Sequence, residues 1–346
     1  MSRSRTNLLI AQAAAALGVQ CDDVGSERSD WLMRLSFGDR SVIVSKTRSP
    51  FLTQVAQTLA NHKYTSREAI AAKGVPVVAS VLLDERDDPE GPRAREFLAR
   101  HGRVVVKPNW GNRALGCTAD VRDEATLARA IEYARSLDLD EEVLLEPYLV
   151  GTNLRMAVIG GRHVASLEIQ RPVLRGDGVR TIAELIAEQD ADPRRGTWQS
   201  PALVPFDRID CEESTIEMLA VRELADDSVL AQGETLEILG EESETIDRTD
   251  EVHPSWIAHA ETACHQLGVD VGGVDLRGPI EAFRAAADTT SAVVLEVNVL
   301  PALHLHALPS VGASRPVFEA FVAYCLSLPG APAPCAAIGF ASSTKR

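Results

Sequence analysis

The sequence predicts an α+β protein of two or three compact units. Its 346 residues, 45% of them hydrophobic, are enough to bury a core in each unit. Short runs with the alternation of β-strands are interleaved with helical patterns along the chain. The clearest is a hairpin pattern in which residues 154–159 and 163–169 flank Gly160 and Gly161.

The composition argues against several classes of function. Fifty acidic and 35 basic residues give a formal charge of -15, whereas a nucleic-acid binder needs a basic surface. No apolar stretch is long enough to span a bilayer. The basic and apolar start of the chain could be a signal peptide, but Gln12 interrupts the run, and an amphipathic helix capped near Thr6 explains it as well. Six widely spaced cysteines predict reduced thiols and a cytoplasmic location.

Residues 1–62 are predicted to form a small amino-terminal α/β unit. A helix over 7–17 should end at Gly18, and strands over 31–37 and 41–45 should be joined at Gly38 and Asp39.

Helices and strands alternate in the middle of the chain. Helices are expected at 51–61, 66–73, 94–100 and 123–137, and strands at 75–83, 103–106 and 142–145. The charged Pro/Gly stretch 84–93 should be an exposed loop.

The last third continues this alternation. Expected elements are a helix starting at Thr181, a helix over 255–267, strands over 271–276 and from 293, a helix over 316–328, and a frayed tail over 329–346.

Three oxygen-bearing side chains stand on the two late strands. Period-2 alternation places Glu296 and Asn298 on the same side of one strand, and Asp275 could face them from a neighbouring strand. Carboxylates of this kind suit Mg²⁺, which prefers them together with substrate phosphates. The alternative is an edge strand whose polar residues face water.

A turn-rich loop follows Lys107. Gly111 and Gly116 would let its backbone N–H groups approach phosphates, while the lysine supplies a positive charge. Loops with glycine after strands are common, so an ordinary turn is the alternative.

Two longer patterns surround these residues. The first is Asp275, then Glu296-x-Asn298-x-x-Pro301, then His306, Pro309, Gly312 and Arg315; the second is Gly176-Asp177-Gly178, Thr181-Ile182 and Asp192-Pro193-Arg194-Arg195-Gly196. Together they resemble the ATP-grasp ligases, above all the ATP-grasp part of cyanophycin synthetases and the glutathione-synthetase-like ligases.

The resemblance extends from about Lys63 to Leu326 and implies an ATP-grasp fold, in which two α+β lobes clasp ATP. Residues 63–150 would be the nucleotide-covering lobe and 151–328 the metal and substrate lobe. ATP and Mg²⁺ are the implied cofactors, with the metal on Asp275, Glu296 and Asn298.

The resemblance also implies residues that contact the nucleotide. Lys63 and Lys107 would be the nucleotide lysines, although Lys63 by itself is an ordinary solvated lysine. The hinge between the lobes would consist of Glu146, Pro147, Tyr148 and Leu149. Asn153 stands where the family usually carries an acid that bonds the ribose, and a plain turn residue is the alternative. The family loop is also richer in glycine than the one after Lys107.

Four arginines are candidate catalytic residues. In the resemblance, Arg155 lies near the substrate phosphate, and Arg315 points at the polyphosphate or the carboxyl substrate; Arg155 could also be a snorkelling surface arginine. Arg171 and Arg175 are candidate clamps for a carboxylate or phosphate, because guanidinium groups suit both.

The acidic stretch 240–247 is the largest departure from the family. It would favour a cationic amine substrate or form a solvated face.

The implied activity is ADP-forming ligation of a carboxylate to an amine through an acyl phosphate. A nucleotide-binding module without turnover and a carboxylate or hydroxyl kinase are the alternatives. We expect amino-acid or small-peptide substrates, with a peptide or carrier-protein acceptor as a variant, and a homodimer, with no nucleic acid or membrane as partner.

Overall fold

The structure is a computed structural model that describes residues 3–25, 30–111, 114–138, 140–197, 203–209, 213–288 and 291–331. Helices are α1 Arg5–Ala16, α2 Gln54–Asn61, α3 Lys63–Ala71, α4 Pro92–His101, α5 Glu124–Ser136, α6 Ile182–Asp190, α7 Glu213–Val221, α8 Pro254–Leu267, α9 Ile280–Arg284, α10 Leu303–Ala307 and α11 Val317–Cys325. Strands are β1 Gln20–Val24, β2 Leu32–Phe37, β3 Arg40–Ser45, β4 Val81–Leu83, β5 Val104–Pro108, β6 Thr118–Val121, β7 Val143–Pro147, β8 Thr152–Ile159, β9 Arg162–Gln170, β10 Val173–Arg175, β11 Arg195–Gly196, β12 Phe206–Asp207, β13 Thr235–Glu237, β14 Glu244–Asp247, β15 Val271–Gly278 and β16 Val293–Asn298.

The central element is the antiparallel sheet β14-β9-β8-β15-β16. Both of its faces are covered, so alternate residues of β8 enter two different cores. Ala157 and Ile159 pack with α1 and α11, whereas Met156 and Val158 pack with α8. This two-sided burial explains why β8 is apolar at most positions rather than strictly alternating.

The amino-terminal segment forms an antiparallel sheet β1-β2-β3 beside α1. Its apolar residues, among them Ile10 and Leu35, share one core with Phe321 and other residues of α11. The two ends of the chain therefore pack together on one face of the central sheet. The boundary predicted at residue 62 stays a prediction.

A second antiparallel sheet, β4-β7-β5-β6, is packed against α4 and α5 around a core of its own. Segment 173–239 forms a third unit, in which β10 pairs with β13 and the side chains of α6 and α7 supply a separate core. Thr181 starts α6 with a reciprocal capping box, its side chain accepting from the Glu184 N–H.

Most predicted elements are present, with bounds that differ by a few residues. Strands β1, β6 and β10–β14 and helices α7, α9 and α10 were not predicted, and the predicted strand over 75–83 is reduced to β4. The reason is that Pro76 and Val78 instead bond Val294 at the edge of β16. The predicted tail lies outside the described residues from position 332 onward.

Candidate active site

Three neighbouring strands bring charged side chains to one place. Asp275 on β15 lies directly opposite Arg155 on β8 and opposite Glu296 on β16. A register shift follows Asp275 in the β15–β16 pairing. Gly272 permits α8 to pack closely on β15, because a Cβ there would lie 2.9 Å from the sulfur of Cys264 on α8. The sheet therefore fixes the spacing of these side chains through its backbone hydrogen bonds.

The side chains at this point touch one another. Arg155 donates to both oxygens of Asp275, from Nε at 2.6 Å and from Nη2 at 2.8 Å. The Asn298 amide lies 2.9 Å from Asp275 Oδ2 and 3.4 Å from Glu296 Oε1. The sequence-based expectation that Asp275 faces Glu296 and Asn298 is therefore met in space.

The donor set fits Mg²⁺. Two carboxylates and an amide converge within hydrogen-bond distance, and hard oxygen ligands with substrate oxygens completing the shell are what Mg²⁺ requires. Within the described part of the chain, no group of three or more His, Cys, Asp or Glu side chains is placed to hold a metal. A metal here would therefore depend on Asn298 and on oxygens from a substrate.

Positive charge faces Glu296 from helix α3 and from β5 of the second sheet. Burial by itself would raise the pKa of Glu296, but the charges of Lys107, Lys63 and Arg67 hold it well below its usual range. Lys63, 8% exposed, donates from Nζ to the Gly111 carbonyl at 2.8 Å. Burial lowers the pKa of Lys63. The surroundings of Glu296 are thus rich in cations.

Lys107 on β5 pairs with the buried carboxylate of Glu146 on β7 at 2.8 Å. Arg67 on α3 contacts the same oxygen at 2.6 Å. Glu146 is predicted to lie at the hinge, where backbone groups would contact the nucleotide, and its side chain points into this ionic cluster; the hinge role stays a prediction. Arg67 was missed, although it follows Lys63 by four residues and so lies on the same helix face.

The loop after β5 is organised by Asn109, which is fully buried. Asn109 accepts from the Tyr64 N–H at 2.9 Å and donates to Glu142 at 2.6 Å. Gly116, with φ +72°, packs so closely on Pro108 that a Cβ would lie 2.5 Å from the ring. Gly111 has φ +122°, where a side chain would be strained, so both glycines have a backbone role. Their predicted role in phosphate binding stays a prediction.

Backbone groups of the predicted hinge form hydrogen bonds within the chain. The Tyr148 N–H donates to the Arg103 carbonyl at 2.9 Å, so that amide is already used. Arg277, missed in the sequence, donates to the Leu149 carbonyl at 3.0 Å and to Asn153 Oδ1 at 2.8 Å. Pro147 ends β7. Asn153 lies on β8 and so is not a plain turn residue, and its predicted contact with the ribose stays a prediction.

The other three candidate arginines lie outside the cluster around Asp275. Arg315 pairs with Asp247 at 2.5 Å and Asp250 at 2.6 Å, and the bond to Asp247 raises its pKa. Arg175 is exposed on β10. Their predicted roles as anion clamps stay predictions.

The acidic stretch 240–247 is not a solvated face. Its residues are mostly half-buried and lie against arginines of the chain. Arg171 donates to the Glu241 carbonyl at 3.1 Å, and Arg195 donates to the Glu242 carbonyl at 2.8 Å. Part of the negative charge is compensated internally, because Arg171 lies 3.8 Å from the Glu242 carboxylate and Arg315 pairs with Asp247.

Two named relatives are similar in sequence to most of the chain. It is 30% identical over 292 residues to cyanophycin synthetase from Trichormus variabilis, covering 83% of this chain and 31% of the relative. It is 32% identical over 300 residues to the glutathione biosynthesis bifunctional protein GshAB from Mannheimia succiniciproducens, covering 84% of this chain and 38% of the relative. The chain thus spans about a third of the length of these relatives. No protein-family model matches it.

A solved structure agrees with the sequence relatives. The bifunctional glutathione synthetase from Pasteurella multocida matches 93% of this chain and 44% of its own, with a TM-score of 0.57 and 26% identity. The chain has an ATP-grasp fold. The prediction of that fold, and of a likeness to carboxylate–amine ligases, is confirmed. In this ATP-grasp chain, no described helix combines the length and apolar character needed to pass through a bilayer.

Proposed function

We propose that the chain is an ADP-forming carboxylate–amine ligase. The observation that carries the proposal is the convergence of Asp275, Glu296 and Asn298 on adjacent strands, with Lys63 on α3 and Lys107 on β5 acting on Glu296. Acids that hold a divalent cation, opposed by lysines, form a site for a polyphosphate. The likeness to ligases of the ATP-grasp fold supports ATP as that polyphosphate.

The residues would divide the work of binding and charge compensation. Lys63 and Lys107 would neutralise the nucleotide phosphates, and Asp275, Glu296 and Asn298 would hold Mg²⁺. When bound, Mg²⁺ supplies positive charge beside the phosphoryl group being transferred. Arg155, which donates a hydrogen bond to Asp275, would position the anionic group that reacts.

The proposed reaction has two steps. An oxygen of the substrate carboxylate attacks the γ-phosphorus of ATP, the bond to the β–γ bridging oxygen breaks, and ADP leaves with that electron pair. The amine nitrogen then attacks the acyl phosphate carbon, inorganic phosphate leaves, and the amine loses a proton to give the amide. The protein contributes mainly position and compensating charge to phosphoryl transfer of this kind.

Amino acids or small peptides are the substrates we propose. A peptide or carrier-protein acceptor, a homodimer and a cytoplasmic location remain predictions. The acidic stretch 240–247 gives only weak support for a cationic amine, because Arg171 and Arg195 already lie against it.

The test is ADP release from ATP and Mg²⁺ with a panel of amino acids, singly and in pairs, followed by mass spectrometry of the products. ADP formation that requires both a carboxylate and an amine, with an amide product, is the expected result. A phosphorylated product that accumulates without amine would identify a kinase. Binding of ATP without ADP formation across the panel would identify a nucleotide-binding module and overturn the ligase proposal.

A further inference from the structure

Two cationic side chains contact the same carboxylate oxygen of Glu146. Its Oε1 lies 2.8 Å from Lys107 Nζ and 2.6 Å from Arg67 Nη1, and the residue is only 3% exposed. Burial alone would raise the pKa of Glu146, but Arg67 and Lys107 lower it, so the carboxylate is charged. A buried carboxylate needs one counterion, and this one has two.

The two cations differ in how firmly they are placed. Arg67 is 2% exposed, sits on α3, and donates from Nε to the Leu295 carbonyl at 2.7 Å, one residue before Glu296. That bond fixes the guanidinium between β7 and β16. Lys107 has a flexible four-carbon stem with a single charged tip, and Glu146 is its ion-pair partner.

Lys107 neutralises Glu146 in this structure. In the proposed function, the same ammonium group neutralises a nucleotide phosphate. If Lys107 moved to a bound nucleotide and Glu146 had no second cation, a buried carboxylate would be left uncompensated. Leaving a buried charge unpaired is strongly unfavourable, and that cost would weaken nucleotide binding. The contacts of Arg67 remove this cost, since its ion pair to Glu146 does not depend on Lys107.

We infer that Arg67 is a positioning residue that keeps Glu146 neutralised and so frees Lys107 to bind the nucleotide phosphates. The inference rests on the proposed function. Arg67 is not assigned any contact with the nucleotide, and its effect passes through Glu146 and Lys107. Removing Arg67 should weaken nucleotide binding only while Glu146 is charged.

The test is a double-mutant cycle read as the dissociation constant of Mg²⁺ with a non-hydrolysable ATP analogue, measured by calorimetry. Arg67→Met should weaken binding roughly tenfold or more, because Lys107 must then stay with Glu146. In the Glu146→Gln background the same substitution should weaken binding less than about threefold. Arg67→Lys, which keeps the charge, should recover part of the loss.

Arg129→Met is the matched control. Arg129 also donates from Nε to a backbone carbonyl, that of Val221 at 2.9 Å, but it lies on α5 away from Glu146. This variant should leave the dissociation constant unchanged, and a comparable loss would show that removing any such arginine perturbs the lobe and would overturn the inference.

Equal losses from Arg67→Met in both backgrounds would overturn the inference and assign Arg67 a direct or purely structural role. If Arg67→Met does not fold, Glu146→Gln alone decides. With no carboxylate to hold Lys107, the Glu146→Gln variant should bind the analogue at least as tightly as the wild type. Weaker binding by this variant overturns the inference. A wild-type chain that does not bind the analogue would overturn the proposed function as well, whereas wild-type binding unaffected by Arg67→Met would overturn this inference alone.

Discussion

The two sides of the site are built in different ways. Asp275, Glu296 and Arg155 stand on adjacent antiparallel strands, so the backbone ladder sets their spacing. On the opposite side, Lys63 and the loop around Asn109 are held by bonds between side chains and distant backbone groups. The first arrangement is fixed by continuous backbone pairing between strands, and the second by individual side-chain hydrogen bonds.

This difference indicates a division of labour. A sheet keeps charged groups at a constant separation, which suits the anchoring of a metal charge where negative charge develops. A loop held by a few hydrogen bonds opens at lower free-energy cost, which suits the entry and release of a nucleotide. Substitutions on the sheet side should therefore change chemistry, and substitutions on the loop side should change nucleotide affinity.

The largest expected effect is on the sheet side. Glu296→Ala should lower kcat for ADP formation by at least about a thousandfold, because the metal charge loses its anchor, while substrates still bind. Steady-state kinetics with ADP detection measures kcat, and calorimetry measures binding. Glu281→Ala, which removes an exposed carboxylate paired with Arg284, is the control and should keep wild-type kcat. Wild-type turnover by Glu296→Ala would refute the assignment of Glu296.

The next largest effect is a loss of stability on substitution of Gly151. This residue lies in the connection from β7 to β8, which joins the two sides. Its φ is +140°, and a Cβ would lie 2.4 Å from the carbonyl carbon of Gly278. Gly151→Ala should lower the free energy of unfolding by about 2–4 kcal/mol in denaturant titrations.

Gly38→Ala provides the matched comparison for Gly151→Ala. Gly38 has φ +61° with no atom within 4 Å of an added Cβ, so only backbone strain of about 1–2 kcal/mol is expected. Equal losses in the two variants would show that the close approach to Gly278 is unimportant.

On the loop side, Asn109→Ala should cost about 2 kcal/mol of stability, because the Tyr64 N–H loses its acceptor. The apparent KM for ATP should rise, since Lys63 and the Gly111 carbonyl are no longer held together, with little change in kcat at saturation. Steady-state kinetics over ATP concentration separates the two quantities. A loss of kcat as large as that of Glu296→Ala would remove the contrast between the two sides.

The last effect is a pH dependence on the sheet side, which is small at each step and accumulates over several pH units. His306 on α10 is 2% exposed, and burial, together with the charges of Arg155 and His163, lowers its pKa to about 3. From pH 6.5 down to about 3, the unfolded chain binds a proton that the folded chain does not. The free energy of unfolding should therefore fall with falling pH in this window, by up to about 1.4 kcal/mol per pH unit from this group.

His306→Leu should remove that contribution, so the difference in unfolding free energy between wild type and variant should change as the pH is lowered from 6.5 to 4. Denaturant titrations at several pH values measure it. Parallel curves would show that His306 keeps an ordinary pKa in the folded chain.

The same contrast explains which parts of the site could be predicted from the sequence. Glu296 and Asn298 are two residues apart in an apolar run, so alternation alone placed them on one side of a strand. Asp275 could be paired with them because its own run reads as a strand. Arg67 and Arg277 carry no such signal, since their partners Glu146 and Leu149 lie far away in the sequence.

The sequence by itself determined the α+β class, most of the longer helices and strands and the three oxygen donors, because hydrophobic periodicity and turn residues are local properties of the chain. Only the tertiary structure decided the partners of charged side chains: Lys107 with Glu146, Arg155 with Asp275, and Arg315 with Asp247. A buried charge pairs with whichever opposite charge the packed elements bring near it. That pairing depends on distances through space, which periodicity along the chain does not encode.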